Sequence, residues 1–304
     1  GDVDTYSFNV LAGERYTITA AGFDMKIKLL DDNDSTPTDY IDNDLLADDG
    51  EEYTFVADAT GEIKVQIEHG DGYTNPVGTY TLAITGANTA TLAFPSATGF
   101  GAKATGGRGG RVIKVTNLNA SGPGSLQDAL NQNEPRTIVF EVSGVIESVE
   151  PIVVRHGNVT IAGQTAPGAG ITLKSRFYGA YDSSVTNIIV RHLRIRPHDF
   201  SEITGVAADQ YDALQFSKNS NMIFDHVSVA FGVDETFDIY AAKDVTVQWS
   251  IIQEGSTLGD NSGAHNFGLI SGPEGQRLSV NNNLFVNNAN RNPAITNGPA
   301  EVLN

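Results

Sequence analysis

Two hydrophobic rhythms run along the 304 residues. Over the first 88, apolar and polar positions alternate one by one, as in Tyr6-Ser7-Phe8-Asn9-Val10, Tyr16-Thr17-Ile18-Thr19, Glu62-Ile63-Lys64-Val65-Gln66-Ile67 and Thr79-Tyr80-Thr81-Leu82-Ala83-Ile84. A period of two puts successive side chains on opposite faces of a strand, so short strands parted by turn residues predict a small antiparallel β-sandwich. Beyond residue 88 the alternation gives way to short runs rich in Val, Ile and Phe. One helix is expected there, capped by Ser125 after Gly122-Pro123-Gly124, with Asp128 three positions on and Leu126, Ala129 and Leu130 as its apolar stripe.

The second rhythm is a repeat. Segments starting at Ile188, Met222, Val245 and Leu278 superpose column by column, and their starts lie 34, 23 and 33 residues apart. Strands this short cannot bury a face alone and must stack on their neighbours, which is the logic of a solenoid. The expected fold class is therefore all-β, a right-handed parallel β-helix preceded by the small sandwich. The step from Val190, Phe224, Val247 and Val280 to Arg191, Asp225, Gln248 and Asn281 is read as a bend from buried to exposed strand. Eleven Asn in 251–304 suit amide stacking between coils. Unequal spacing and the lack of four strands per repeat disfavour a β-propeller.

Charge divides the chain in the same place. The total is −18, of which residues 1–88 carry −14 and residues 89–304 only −4. Two domains follow, 1–88 and 89–304, with Gly86-Ala87-Asn88-Thr89-Ala90 as a short linker. Such acidity excludes a nucleic-acid partner held by bulk electrostatics, and argues against docking on an anionic membrane. No apolar run is long enough for membrane insertion. With no cysteine, thiol catalysis, thiolate metal sites and disulfides all fall away. The acids of 31–49 form either a solvated loop or a calcium-stabilised one, without EF-hand spacing.

Candidate chemistry concentrates in the repeat. Asp225 sits at a bend, and Asp234 and Asp238 open the next coil. On stacked coils about 4.8 Å apart, three carboxylates can converge on a calcium ion, with Asp212 and Glu235 behind them. The competing reading is three solvated turn acids. His192 and His226 share a repeat column, which points to a structural stack. Trp249 and Tyr178, Tyr181, Tyr211 and Tyr240 are either sugar platforms or core. No Gly-x-Ser-x-Gly elbow, P-loop or zinc-spaced histidine pair is present.

Two resemblances sharpen this. Gly1-Asp2-Val3-Asp4-Thr5-Tyr6-Ser7-Phe8, Ala12-Gly13 and Gly78-Thr79-Tyr80-Thr81-Leu82 resemble the bacterial pre-peptidase C-terminal domain, a β-sandwich module of secreted enzymes. Phe94-Pro95-Ser96-Ala97-Thr98-Gly99-Phe100-Gly101, Thr105 to Gly110, Val115 to Leu126, Thr137 to Gly144 and Thr160 to Gly168 resemble family-one polysaccharide lyases, the pectate lyases. Phe224-Asp225-His226-Val227-Ser228 is similar to that family's Asp-His segment, and Asn283-Leu284-Phe285 with Arg291-Asn292-Pro293 to its catalytic-arginine segment.

The resemblance implies a secreted bacterial enzyme that cleaves an acidic polysaccharide, polygalacturonate or a related uronan, by calcium-dependent β-elimination. It implies Asp225, Asp234 and Asp238 as calcium ligands and Arg291 as the base or, since a guanidinium normally stays charged, equally as an electrostatic stabiliser. His265 stands where the family has a substrate-binding lysine and is taken with Arg291 as catalytic. Further arginines expected after Arg291 are replaced by Ala294 and Thr296. The sequence ends at Asn304, where relatives continue for several coils, so either it is a fragment or a second copy or covering chain is expected at that end. The alternative function is a non-catalytic β-helix protein that binds glycans or assembles through that end.

Overall fold

The computed structural model describes residues 3–10, 15–21, 25–30, 37–41, 51–57, 61–69, 79–86, 92–257 and 265–304. The chain separates into two compact units, Gly1–Thr91 and Leu92–Asn304. Apart from the strand Pro37–Ile41, the acidic stretch 31–49 lies outside the described residues.

In the first unit two antiparallel sheets face each other. One orders Asp4–Val10, Gly61–His69, Met25–Leu30 and Pro37–Ile41; the other orders Glu51–Val56, Arg15–Ala21 and Thr81–Gly86. Their inner faces meet through Ile18 and Ala20 from one sheet and Ile27, Leu29, Val65 and Ile67 from the other. Alternation places these residues inside and their polar neighbours outside.

In the second unit all pairings are parallel, and each full coil gives one strand to each of three sheets. This is a right-handed parallel β-helix. The eight-stranded sheet runs Ala300–Leu303, Gln276–Asn281, Lys243–Gln248, Ser220–Asp225, Thr186–Arg191, Val159–Ala162, Arg136–Phe140 and Arg111–Val115. The repeat columns are its register, with Ile188 beside Met222, Met222 beside Val245 and Val245 beside Leu278. A second sheet holds Gly144–Glu147, Ile171–Lys174, Leu193–Ile195, Ser228–Ala230, Ile251–Gln253 and Leu284–Val286. The third, which carries the site, holds Ile152–Val154, Phe177–Gly179, Leu214–Gln215, Glu235–Asp238, Phe267–Ser271 and Ala294–Ile295. One continuous apolar core fills the space between the three sheets.

The bend falls one residue later than the pattern suggests. The left-handed residues are His192, His226, Trp249 and Asn282, with φ of 54, 55, 51 and 56°. The polar residues before the last three, Asp225, Gln248 and Asn281, are buried. They are buried because residues 96–101 lie across the outer face of this sheet: Gln248 Nε2 donates to Ser96 O at 3.0 Å, and the Gly101 N–H to Thr246 Oγ1 at 2.9 Å. A Cβ at Gly101 would meet Met222 O at 1.9 Å, so only glycine permits this approach. An amide ladder runs through Asn158, Asn187 and Asn221, all left-handed. Later asparagines reach back instead to the preceding coil's carbonyls, Asn283 to Val247 and Asn288 to Ile252.

The expected helix is Leu126–Leu130, and Ser125 Oγ accepts the Asp128 N–H at 3.1 Å. Its last carbonyls, Ala129 O and Leu130 O, are taken by the fully buried guanidinium of Arg136, which also donates to His156 O and Gly157 O. Burial lowers the Arg136 pKa to about 10, and carbonyl dipoles solvate its charge in place of water.

Candidate active site

Inward positions of the third sheet are Phe177, Leu214, Phe237 and Leu269, paired in register and fully buried. The adjacent row, Tyr178, Gln215, Asp238 and Ile270, therefore faces out. Asp212 lies two residues before Leu214, and Glu235 two before Phe237. They occupy equivalent places on consecutive coils and are joined by a hydrogen bond from the Glu235 N–H to Asp212 Oδ1 at 2.9 Å.

Asp212, Asp234 and Glu235 each present an oxygen within 4.8 Å of the other two. Asp238 lies near enough for its charge to act on Asp212, and it accepts from Gln215 Nε2 at 3.1 Å and from the Tyr240 N–H at 2.5 Å. Burial first, and then the charges of Asp238 and Asp234, push the Asp212 carboxyl well above the usual carboxylate range. Burial also raises Asp238.

Both residues assigned to catalysis in the sequence meet this cluster. Arg291 forms an ion pair through Nη1 with Glu235 Oε1, and its Cζ stands 4.2 Å from the Phe267 ring centroid. The Arg291 backbone is left-handed (φ 57°), and its carbonyl accepts the Leu269 N–H at 2.6 Å. His265 Nδ1 meets Asp234 Oδ1, and its ring stacks on Phe267 at 4.7 Å and 12°.

Asp225 is not part of this group. It belongs to the eight-stranded sheet, fully buried, where Oδ2 accepts from Arg191 Nε and Nη2 at 2.8 and 2.7 Å and Oδ1 from Gln248 Nε2 at 2.8 Å. Of the three aspartates singled out in the sequence, Asp225 therefore stands apart, at the end of a strand of the eight-stranded sheet, while Asp234 lies with Asp212 and Glu235. His192, Asp225 and His226 also lie within ligand reach of one another, with the Asp225 oxygens bonded to Arg191 and Gln248. The two imidazoles stack at 4.7 Å, the structural pairing their shared column suggests. Asp225→Ala is expected to destabilise the fold by about 1–3 kcal/mol, as the part-buried Arg191 and the buried Gln248 amide both lose this acceptor. Calcium affinity should not change; urea unfolding and a calcium titration on the same variant check both halves.

Sequence reasoning missed Arg176 as a member of the site. It is buried, donates from Nη1 to Tyr178 Oη at 3.2 Å, lies 5.0 Å from the Tyr211 ring, and its charge pulls against the upward shift of Asp212. Asp212 and Glu235 had one legible signal: they stand 23 residues apart, the same step that separates Met222 from Val245.

The donor set fits a hard divalent cation. Asp212, Asp234 and Glu235 offer only carboxylate oxygens, and they lie within the spacing of about 5 Å that oxygens on one calcium at about 2.3–2.6 Å require. The like-charge conflict recorded in the raised carboxyl pKa values is what such a cation relieves. A cleft of about 450 Å³, with His198, Phe200, Glu202 and Phe231 in its walls, shares no lining residue with the cluster.

No family model matches the chain. Among curated proteins it is 45% identical over 209 residues to a protein named probable pectate lyase C from Emericella nidulans, covering 68% of this chain and 45% of that one. Its counterpart in Aspergillus fumigatus is 44% identical over 214 residues, covering 70% of this chain and 47% of the relative. Among solved structures, the cedar pollen allergen jun a 1 aligns at 19% identity and a TM-score of 0.49, over 68% of this chain and 62% of the allergen. Over about two thirds of its length this chain is similar in sequence to the pectate lyases, and it spans slightly under half the length of these curated relatives.

Proposed function

We propose that the second unit belongs to a secreted lyase that cleaves polygalacturonate, or a related uronan, by calcium-dependent β-elimination. The observation that carries this reading is the convergence of Asp212, Asp234 and Glu235, with Asp238 near them and Arg291 paired to Glu235, where the coils enter the third sheet. The sequence similarity to proteins named pectate lyase supports the reaction class. Those relatives are fungal, so they lend nothing to the bacterial origin implied by the N-terminal resemblance. The first unit is read as an accessory module.

In this reaction the C5–H bond breaks, a double bond forms between C4 and C5, and the C4 glycosidic oxygen leaves with a proton. Asp212, Asp234 and Glu235, with Asp238 beside them, would hold a calcium ion, whose chemistry would be to neutralise the negative charge that builds up on the substrate carboxylate. In the base position the resemblance gives it, Arg291 would take the C5 proton only as a neutral guanidine, the proton then passing by way of solvent to the departing C4 oxygen. Pairing with Glu235 keeps its guanidinium aimed at the cluster, and Phe267 limits where its plane can lie. His265, fixed between Asp234 and Phe267, offers its other ring nitrogen to the substrate carboxylate, in the role the resemblance gives to a lysine. Arg176, behind Asp212, offsets part of the cluster's negative charge.

Mass analysis of the products tests the chemistry. Elimination leaves a new unsaturated end one water lighter than the hydrolysis product. Fragments carrying the full water of hydrolysis would overturn the lyase reading.

A further inference from the structure

We propose that Tyr181, Lys218 and Tyr240 form a subsite for a uronate ring of the substrate chain, with the Lys218 ammonium pairing with the sugar carboxylate and the two phenol rings offering stacking faces. The inference rests on the proposed function and adds to it the recognition of a charged sugar beside the carboxylate cluster.

The three residues leave the third sheet at one edge, on consecutive coils. Tyr181 follows the strand Phe177–Gly179, Lys218 follows Leu214–Gln215 and Tyr240 follows Glu235–Asp238, each by two or three positions. The Lys218 N–H donates to Tyr240 O at 2.9 Å, so the two coils are locked at strand spacing. Lys218 Nζ stands 4.3 Å from the Tyr181 ring centroid. Along the direction in which the coils stack the row therefore carries Tyr181, Lys218 and Tyr240 in turn, the ammonium over the first ring and the second ring lying against Gly272. It also begins at the cluster, since the Tyr240 N–H is bonded to Asp238 Oδ1.

Three features mark this row as a binding surface. Tyr181 and Tyr240 are 64% and 38% exposed, unusually open for large aromatic side chains, and Lys218 is exposed between them. Lys28, Lys114 and Lys174 each close on a glutamate at 2.5–2.9 Å, whereas among the described residues no carboxylate pairs with Lys218. In a chain of net charge −18, an ammonium resting on a ring face keeps its charge available to an incoming anion. Lys218 also holds a left-handed turn (φ 64°), a conformation that glycine or asparagine adopts at lower cost. A sugar acid matches the pattern because its carboxylate takes the ammonium while its C–H face takes a phenol ring. The row returns a cation to a site where His265 stands in place of the expected lysine.

The test compares wild type with Lys218→Met, Lys218→Arg and Tyr181→Ala on polygalacturonate and on fully methyl-esterified pectin, by steady-state kinetics and by retardation in gels containing each polymer. Lys218→Met is expected to raise KM for polygalacturonate about tenfold, the size of one charge-assisted contact, with kcat within about twofold. Retardation by the esterified polymer should not change, and Lys218→Arg should recover most of the loss. Tyr181→Ala should weaken retardation by both polymers. A folded Lys218→Met protein with wild-type KM and retardation on polygalacturonate overturns the subsite. A wild type that cleaves nothing, yet is retarded by polygalacturonate in a Lys218-dependent way, keeps the subsite and removes the lyase reading. A wild type that polygalacturonate does not retard overturns the subsite.

Discussion

Asp212→Asn is expected to remove calcium-dependent cleavage while making the calcium-free protein more resistant to heat. The two effects have one cause. The Asp212 carboxyl is buried against Asp238 and Asp234, and its pKa in the folded chain lies well above the value of about 3.9 for an unfolded aspartate. A carboxyl shifted upward binds its proton more tightly in the folded state. Its contribution to stability is therefore complete below about pH 4, and is lost as pH rises through the folded-state pKa. Asp238 is shifted in the same direction. Without calcium, then, the second unit should lose stability between about pH 4 and the raised pKa values, and calcium should flatten that slope. Asparagine mimics the protonated acid: its carbonyl can still accept the Glu235 N–H, and it carries no charge to repel Asp238. Activity should fall on the order of 100-fold or more, since even residues that only orient metal ligands are worth about 10–100-fold. Melting curves from pH 4 to 8, with calcium and with chelator, check the stability half. A variant less stable than wild type at neutral pH in chelator would contradict the account.

Arg291→Lys carries the second large effect. Lysine keeps a positive charge near Glu235 but gives up the planar fork that lets one guanidinium meet both Glu235 and substrate. If Arg291 meets the C5 proton, kcat should fall by about 10²–10⁴ with KM changed far less. A Lys variant with wild-type kcat would move the role elsewhere.

How far the chain could be read without coordinates depended on what each side chain packs against. The strands starting at Ile188, Met222, Val245 and Leu278 were legible in register, since all four send apolar side chains into one core and polar ones out. The site sheet was harder. Its strands are only two to five residues long. Several of its buried positions are acids, Asp212, Glu235 and Asp238, which hydropathy assigns to loops. Asp234 and Asp238 were singled out by their place in the repeat, Arg291 and His265 by motif wording, and the latter two pair with Glu235 and Asp234. Asp225 stands on another sheet, and nothing local to it reports that residues 96–101, more than 120 positions earlier, lie across that sheet. The glycines of that covering segment looked like turn residues, but at Gly101 the requirement is for backbone-to-backbone approach.

The central claim is that Asp212, Asp234 and Glu235, with Asp238 near them and Arg291 paired to Glu235, make a calcium-dependent uronate lyase. Its most direct test follows the ultraviolet absorbance of unsaturated product while the protein acts on polygalacturonate, first in calcium and then after excess chelator. The account predicts a steady rise that stops on chelation and resumes when calcium is restored. A flat trace from folded, calcium-loaded protein, or a rise indifferent to chelator, would contradict it.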